Sequence, residues 1–145
     1  MGQAALSRFD RDVLSTPGAT DVVVLEGVND LGARAGRPSA AELIAGYRQL
    51  IDRAHAHSLR IIGATILPYD GAAYFTAEGE AIRQAVNAWI RKPGNFDAVI
   101  DLDAAIRDPA RPTKLRADWQ SGDWLHPNDD GYRAMGEAVD LALFR

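Results

Sequence analysis

Three short apolar runs alternate with helical segments along this chain, and this alternation limits the fold more than any other feature. The runs are VVVLEG (22–27), LRIIGATILP (59–68) and FDAVIDLD (96–103). They are rich in aliphatic residues, as expected of strands that are buried on both faces. Strands that alternate with helices form parallel sheets through right-handed crossovers, with helices on both faces. We therefore predict a single α/β domain that covers residues 1–145.

Four helices are predicted around these strands. Residues 4–14 place apolar side chains at helical spacing before the first strand. Ser39 and Glu42 have the spacing of a capping box for a long second helix. A third helix is predicted from Thr76, and the last follows Pro127. The side chains expected to face inward on the last three helices are Leu43, Ile44, Tyr47, Leu50, Ile51, Ala54, Ile82, Val86, Trp89, Ile90, Tyr132, Met135, Val139 and Leu143.

Charge and composition exclude several classes of binding partner. The net charge is −4 and the basic residues are scattered, which argues against binding to nucleic acid or to an anionic membrane. No apolar run reaches the roughly 20 residues of a membrane span, and the N-terminus lacks the pattern of a signal peptide. We therefore expect a soluble protein. Its compartment stays open, with the cytoplasm as the default, because a shortened N-terminus could have lost an export signal. The chain has no cysteine, and His55 and His57 lack the spacing of helical metal ligands, so no metal site is expected.

Polar residues follow each predicted strand. GVND comes after the first strand, PYDG after the second, and a loop with the sequence DWLHPNDDGY (123–132) after the third. Residues 104–122, before this loop, are predicted to be irregular apart from a short helical piece. Because ligands bind at the carboxyl ends of the strands in parallel sheets, these segments predict a site at one sheet edge.

Asp123 and His126 are the leading candidates for chemistry in that site. His126 is followed by Pro127, which holds it extended before the last helix. Asp123 is close enough in sequence to accept the Nδ1 proton of His126, which would make His126 an oriented general base. A simpler interpretation is that both residues cap the last helix. Asn29 of GVND also has two interpretations. Its side chain either forms an Asx turn or donates a hydrogen bond to an oxyanion.

Together, GVND and the D-x-x-H-P block resemble the SGNH, or GDSL-type, hydrolase family. The resemblance implies a flavodoxin-like α/β/α sandwich. It also implies hydrolysis of small carboxylic esters, as in esterases and lipases, without a metal or organic cofactor. By this resemblance Asn29 is the oxyanion donor, His126 the general base and Asp123 its orienting partner. Gly27 and Trp124 are expected to contact the substrate.

The sequence departs from the family pattern at its start. Neither the G-D-S block that carries the nucleophilic serine nor the glycine of the second block is present. The resemblance therefore implies a shortened chain that lacks the first one or two strands. Ser7 and Ser121 are candidate replacements for the nucleophile. The alternative is a catalytically impaired remnant that serves as an oligomeric or ligand-binding domain.

A missing first strand would also leave the segment Val22–Gly27 at the edge of the sheet. An apolar edge strand is a template for pairing with another chain. We therefore expect a homo-oligomer formed through this edge or through the helices beside it.

Overall fold

A three-stranded parallel sheet lies at the centre of the structure, a computed structural model that describes residues 3–32 and 36–144. Its strands are β1 (Asp21–Val24), β2 (Arg60–Ala64) and β3 (Ala98–Ile100), in the order β1-β2-β3. The parallel sheet with flanking helices confirms the predicted α/β class.

The helices follow the predicted order, with one short addition before the second predicted helix and one after β3. Ser39 and Glu42 form the complete capping box, and Thr76 accepts a hydrogen bond from the Gly79 amide at the next long helix. The helices are α1 (Ala5–Phe9, continued as a π-helix over Asp10–Leu14), α2 (Val28–Leu31), α3 (Ala40–Ala56), α4 (Ala77–Arg91), α5 (Leu102–Ile106) and α6 (Asp129–Glu137). Short 3₁₀ turns cover Ala117–Trp119 and Leu141–Phe144.

Apolar side chains cover both faces of the sheet. On one face, Val24 and Ile61 pack with the buried sides of α3 and α4, including Leu50 and Val86. On the other, Ile62 packs in a smaller cluster whose members also include Ala64, Ile100, Leu102, Met135, Val139 and Leu143. Each fully buried aliphatic side chain stabilises the fold by about 1.5–3 kcal/mol relative to exposure.

The strands are shorter than predicted because polar contacts end them. After β2, the Ile66 amide donates to the side chain of Asn87 on α4 rather than to a neighbouring strand. After β3, Asp101 accepts from the Ala104 amide and begins α5. Both side chains therefore turn the chain away from the sheet at its carboxyl end.

The prediction that residues 104–122 are mostly irregular is wrong. An antiparallel hairpin of β4 (Arg107–Asp108) and β5 (Arg111–Leu115) occupies much of this segment. Strand β5 is hydrogen-bonded to Asp70, in the segment that follows β2. The Asp70 amide donates to the Thr113 carbonyl, and the Thr113 hydroxyl donates to the Asp70 carboxylate. The hairpin had no clear sequence signal because β4 is only two residues long and β5 is mostly polar.

The inward orientation predicted for Tyr132 is also wrong, because its side chain is 53% exposed. Met135 on the same helix does pack against the sheet. Val139 and Leu143 pack there too, although α6 ends at Glu137 and Leu143 lies in the 3₁₀ turn. Among the described helices, none has both the length and the apolar character needed to cross a membrane.

Candidate active site

A cleft of about 200 Å³ opens at the carboxyl ends of the strands. It brings together the segments after β1 and β2 and the loop before α6, as the sequence predicts. Within PYDG, however, only Pro68 lines the cleft, because Tyr69 is buried and Asp70 is bound to the hairpin. The lining residues are Leu25, Glu26, Val28, Asn29, Ile66, Leu67, Pro68, Leu125, His126, Pro127, Tyr132 and Met135.

Asp123 and His126 form a hydrogen-bonded pair at this cleft. The Nδ1 atom of His126 lies 2.6 Å from one carboxylate oxygen of Asp123. The other oxygen accepts the backbone N–H groups of Leu125 and His126, each at 2.9 Å. The amide of His126, its ring and the amide of Leu125 hold the pKa of the Asp123 carboxyl well below its usual range. An ionised Asp123 accepts the Nδ1 proton, which leaves Nε2 of a neutral His126 free to accept another.

The helix-capping alternative for this pair does not hold. Asn128 caps α6 instead, accepting the Gly131 amide at 3.0 Å. Asp123 and His126 are also solvent-accessible, with side chains 50% and 62% exposed. A substrate could therefore reach the imidazole.

The loop that carries the pair is closed by backbone hydrogen bonds at its base. The Ser121 amide donates to the His126 carbonyl and the Asn128 amide to the Trp119 carbonyl, each at 2.9 Å. Within the loop, Trp124 has a φ of 57°, a left-handed conformation that is unusual for a bulky residue. These contacts hold His126 at the mouth of the cleft rather than on a free loop.

Asn29 also lines the cleft and lies on the short helix α2. Its side chain is exposed, and no hydrogen bond between described residues involves its amide, so the Asx-turn alternative has no support there. Gly27 begins α2 with a φ of 111° and is buried. A Cβ atom at Gly27 would lie 2.9 Å from Cδ1 of Ile66, so only glycine fits this turn without displacement.

The structure places the remaining predicted site residues outside the cleft lining. Ser121 donates to the Asp123 carboxylate at 3.2 Å, and Ser7 donates to the Ala4 carbonyl within the first helix. Trp124 packs against Gly71 and under the ammonium of Lys114, which lies 4.7 Å from its ring centroid. Gly27 forms the backbone turn into α2, between the lining residues Glu26 and Val28.

Sequence reasoning missed the apolar wall of the cleft apart from Pro68, which belongs to PYDG. Leu67 and Pro68 come from the end of the second apolar run, and Met135 and Tyr132 come from α6. The run ILP continues past the end of β2, and this was the available signal for a wall at the strand end.

Among residues 3–32 and 36–144, no group of three or more His, Asp or Glu side chains has an arrangement that could hold a metal ion. His55 pairs with Asp97 at 2.9 Å, and His57 contacts the Arg53 carbonyl at 3.0 Å. The two histidines therefore have separate partners.

Comparison with solved structures shows the same fold in bacterial proteins. The chain superposes on a protein assigned as an acylhydrolase from Bacteroides fragilis with a TM-score of 0.79 and 20% identity, covering 96% of this chain and 67% of that one. A GDSL-like lipase from Bacteroides thetaiotaomicron gives a TM-score of 0.76 and 23% identity, with coverages of 96% and 68%. A protein of the G-D-S-L lipolytic family from Desulfitobacterium hafniense gives 0.73 and 23%, with coverages of 92% and 70%.

The chain thus spans about two thirds of the length of these structural neighbours. A comparison with curated protein sequences gave no match. The model of the GDSL-like lipase/acylhydrolase family matches residues 1–134, which is most of the chain. On this match, the protein belongs to the GDSL-like lipase/acylhydrolase family.

Proposed function

We propose that this protein hydrolyses small carboxylic esters, with His126 as the general base, Asp123 as its orienting partner and Asn29 as a donor to the oxyanion. The observation that carries the proposal is the 2.6 Å contact between His126 Nδ1 and Asp123. Family membership supports the hydrolase class.

In this mechanism His126 Nε2 removes a proton from the nucleophile as its oxygen attacks the ester carbonyl. The negative charge moves to the former carbonyl oxygen, where the Asn29 amide donates a hydrogen bond. The imidazolium, stabilised by Asp123, then gives the proton to the leaving alkoxide as the C–O bond breaks. The apolar wall of Leu67, Pro68 and Met135 fits the acyl chain of the ester.

No serine lines the cleft among the described residues. The proton that His126 removes therefore comes either from water or from a serine that lies outside the described cleft lining. Ser121 is held on Asp123 rather than on the imidazole, and Ser7 is bound within its own helix. Labelling with a fluorophosphonate followed by peptide mass spectrometry separates the two routes, since only a nucleophilic serine would be labelled.

The test is hydrolysis of p-nitrophenyl acetate by the native chain and by His126→Ala. Loss of a general base is expected to lower kcat by about 10²–10⁴-fold. His55→Ala is the matched control, because His55 also pairs with an aspartate but does not line the cleft. Activity in His126→Ala equal to that of the native chain would overturn the assignment.

A second candidate function is binding of acyl ligands without turnover, as expected of a catalytically impaired domain. The absence of a serine from the described cleft lining favours it. A native chain that shows no hydrolysis above buffer but binds butyrate, with NMR shifts at Leu67 and Met135, would support binding over catalysis.

A further inference from the structure

The turn between Asp123 and His126 is made by Trp124 in an unusual backbone conformation. Trp124 has a φ of 57°, which bulky residues rarely adopt, and Gly122 also has a positive φ, of 110°. Trp124 lies between Asp123 and the amides of Leu125 and His126, which both donate to the same carboxylate oxygen. The conformation of Trp124 therefore sets the direction in which the chain returns to Asp123.

The local hydrogen bonds do not explain why a tryptophan occupies this position. Glycine, asparagine or aspartate adopts the left-handed conformation at lower cost than a bulky residue, and the two amides that donate to Asp123 belong to the following residues. Backbone strain of this kind persists where the surrounding structure compensates for it. The contacts of the indole are therefore the interactions expected to hold the turn.

The indole of Trp124 packs on two other segments of the fold. A Cβ atom at Gly71, in the segment after β2, would lie 2.7 Å from Cγ of Trp124, so the ring packs directly against the glycine backbone. The ammonium of Lys114 on β5 lies 4.7 Å from the ring centroid, in a cation–π contact. We call Gly71 and Lys114 the indole seat. It lies outside the cleft lining, so Trp124 packs away from the position of the substrate.

Hydrogen bonds fix the two halves of the indole seat relative to each other. Asp70 precedes Gly71, and Thr113 precedes Lys114. The Asp70 amide donates to the Thr113 carbonyl at 3.0 Å, and the Thr113 hydroxyl donates to the Asp70 carboxylate at 2.8 Å. Gly71 has a φ of 107°, so glycine is needed there both for the turn and for the room that the indole occupies. The hairpin and the segment after β2 thus form one support.

Other contacts fix where the loop lies. At its base the Gly122 amide donates to Oε1 of Gln120 at 2.6 Å, and the Ser121 amide donates to the His126 carbonyl at 2.9 Å. Leu125 packs against the main apolar core. These contacts locate the loop on the fold, whereas the turn that directs the Asp123 carboxylate toward the imidazole lies between them.

We propose that Trp124 is a positioning residue, whose packing in the indole seat holds the left-handed turn that keeps Asp123 against the imidazole of His126. Trp124 acts through this pair rather than by contact with the substrate. The expected effect on kcat rests on the proposed hydrolysis, whereas the effect on the imidazole rests on the 2.6 Å contact between Asp123 and His126 Nδ1 alone. The two effects are therefore measured separately.

The first measurement is the tautomer of the His126 imidazole, from its ¹⁵N NMR shifts at about pH 9, where a histidine ring is neutral. In the native chain Asp123 accepts the Nδ1 proton, so the Nδ1–H tautomer should predominate. Trp124→Ala removes the indole, and Gly71→Ala places a Cβ where the ring packs. Both variants should lose this predominance and populate the Nε2–H tautomer. Trp124→Phe keeps a ring in the indole seat and should retain the native tautomer.

The second measurement is the hydrolysis of p-nitrophenyl acetate. Trp124→Ala and Gly71→Ala should lower kcat on the order of 10–100-fold, because a displaced base is misaligned for proton transfer. KM should stay within about twofold of the native value, since neither residue lines the cleft. Trp124→Phe should recover most of the native kcat.

Gly94→Ala is the matched control for Gly71→Ala. Gly94 lies between α4 and β3 and has a φ of 87°, but the space around its Cβ is open, so this variant should keep the native tautomer and kcat. Circular dichroism of each variant verifies that it is folded.

A native tautomer in folded Trp124→Ala or Gly71→Ala would overturn the proposal. So would a raised KM with an unchanged kcat, which would make Trp124 a substrate contact, or an equal loss of the Nδ1–H tautomer in Gly94→Ala. A native chain without hydrolysis would contradict the proposed function, and the tautomers of the variants would still decide the role of Trp124.

Discussion

Asp123 combines two tasks that are usually carried by different residues. One carboxylate oxygen accepts two backbone amides and so shapes the loop, while the other contacts the ring of His126. The same interactions that position the imidazole therefore also stabilise the loop around it. Changing this carboxylate should affect activity and local stability together.

The depressed pKa of Asp123 predicts how stability depends on pH. A carboxyl whose pKa is lower in the folded than in the unfolded state stabilises the fold above its unfolded value, near 3.9, and this stability is lost as pH falls toward the folded value. Asp123→Asn should therefore be less stable than the native chain at pH 7. The difference in melting temperature should shrink below about pH 4.

Thermal unfolding of both proteins from pH 3 to pH 8 measures this effect. Asp130→Asn is a suitable control, since Asp130 is exposed in a surface pair with Arg133. A difference between native chain and Asp123→Asn that is constant across this range would contradict the pKa argument.

The backbone conformation of Gly27 predicts a large loss of stability when this glycine is replaced. Gly27→Ala must accept both a φ of 111° and a Cβ 2.9 Å from the Ile66 side chain, and we expect a loss of about 1–3 kcal/mol in the free energy of unfolding. Gly18→Ala has a φ of 76° but open space around the Cβ, so it should cost less. Urea unfolding compares the two. Equal losses of unfolding free energy in Gly27→Ala and Gly18→Ala would show that the contact with Ile66 adds nothing to the cost of the substitution at Gly27.

At the scale of elements, helix α4 supports the cleft through buried polar side chains. Asn87 accepts from the Ile66 amide and donates to its carbonyl, each at 2.8 Å. Arg83, fully buried, donates to the same carbonyl and to the carboxylates of Glu80 and Asp103. These contacts fix Ile66, which directly precedes Leu67 and Pro68 in the apolar wall of the cleft.

Arg83→Met should therefore be strongly destabilising. It leaves Glu80 and Asp103 without a buried cation between them, and breaking such a pair costs about 3–5 kcal/mol. Arg133→Met removes an exposed arginine from a surface pair and should change stability by less than about 1 kcal/mol. Urea unfolding measures both, and similar losses in the two variants would contradict the role given to burial.

Elements with a strong local signal were predictable from the sequence. The α3 capping box and the apolar stripes of α3 and α4 arise from interactions within a few turns of helix, so spacing alone reveals them. Arg83 and Asn87 could not be recognised in this way. Their burial depends on Glu80 in the same helix and also on Ile66 and Asp103, which lie elsewhere in the chain.

The candidate site was predictable to a similar degree. The GVND and D-x-x-H-P blocks lie at strand ends, and parallel topology brings such ends together. The predicted burial of Tyr132 was wrong. Helical spacing places this residue on the apolar side of α6, but in the folded chain its side chain lines the cleft and is exposed. A sequence pattern identifies an apolar face but not where the neighbouring layer stops.

At the scale of the whole molecule, the cleft is built from segments that lie far apart in the sequence. The segment after β1 supplies Asn29, the segment after β2 supplies Leu67 and Pro68, and the loop before α6 supplies His126. Parallel strands bring these segments to one end of the sheet, so the cleft forms only when the sheet does.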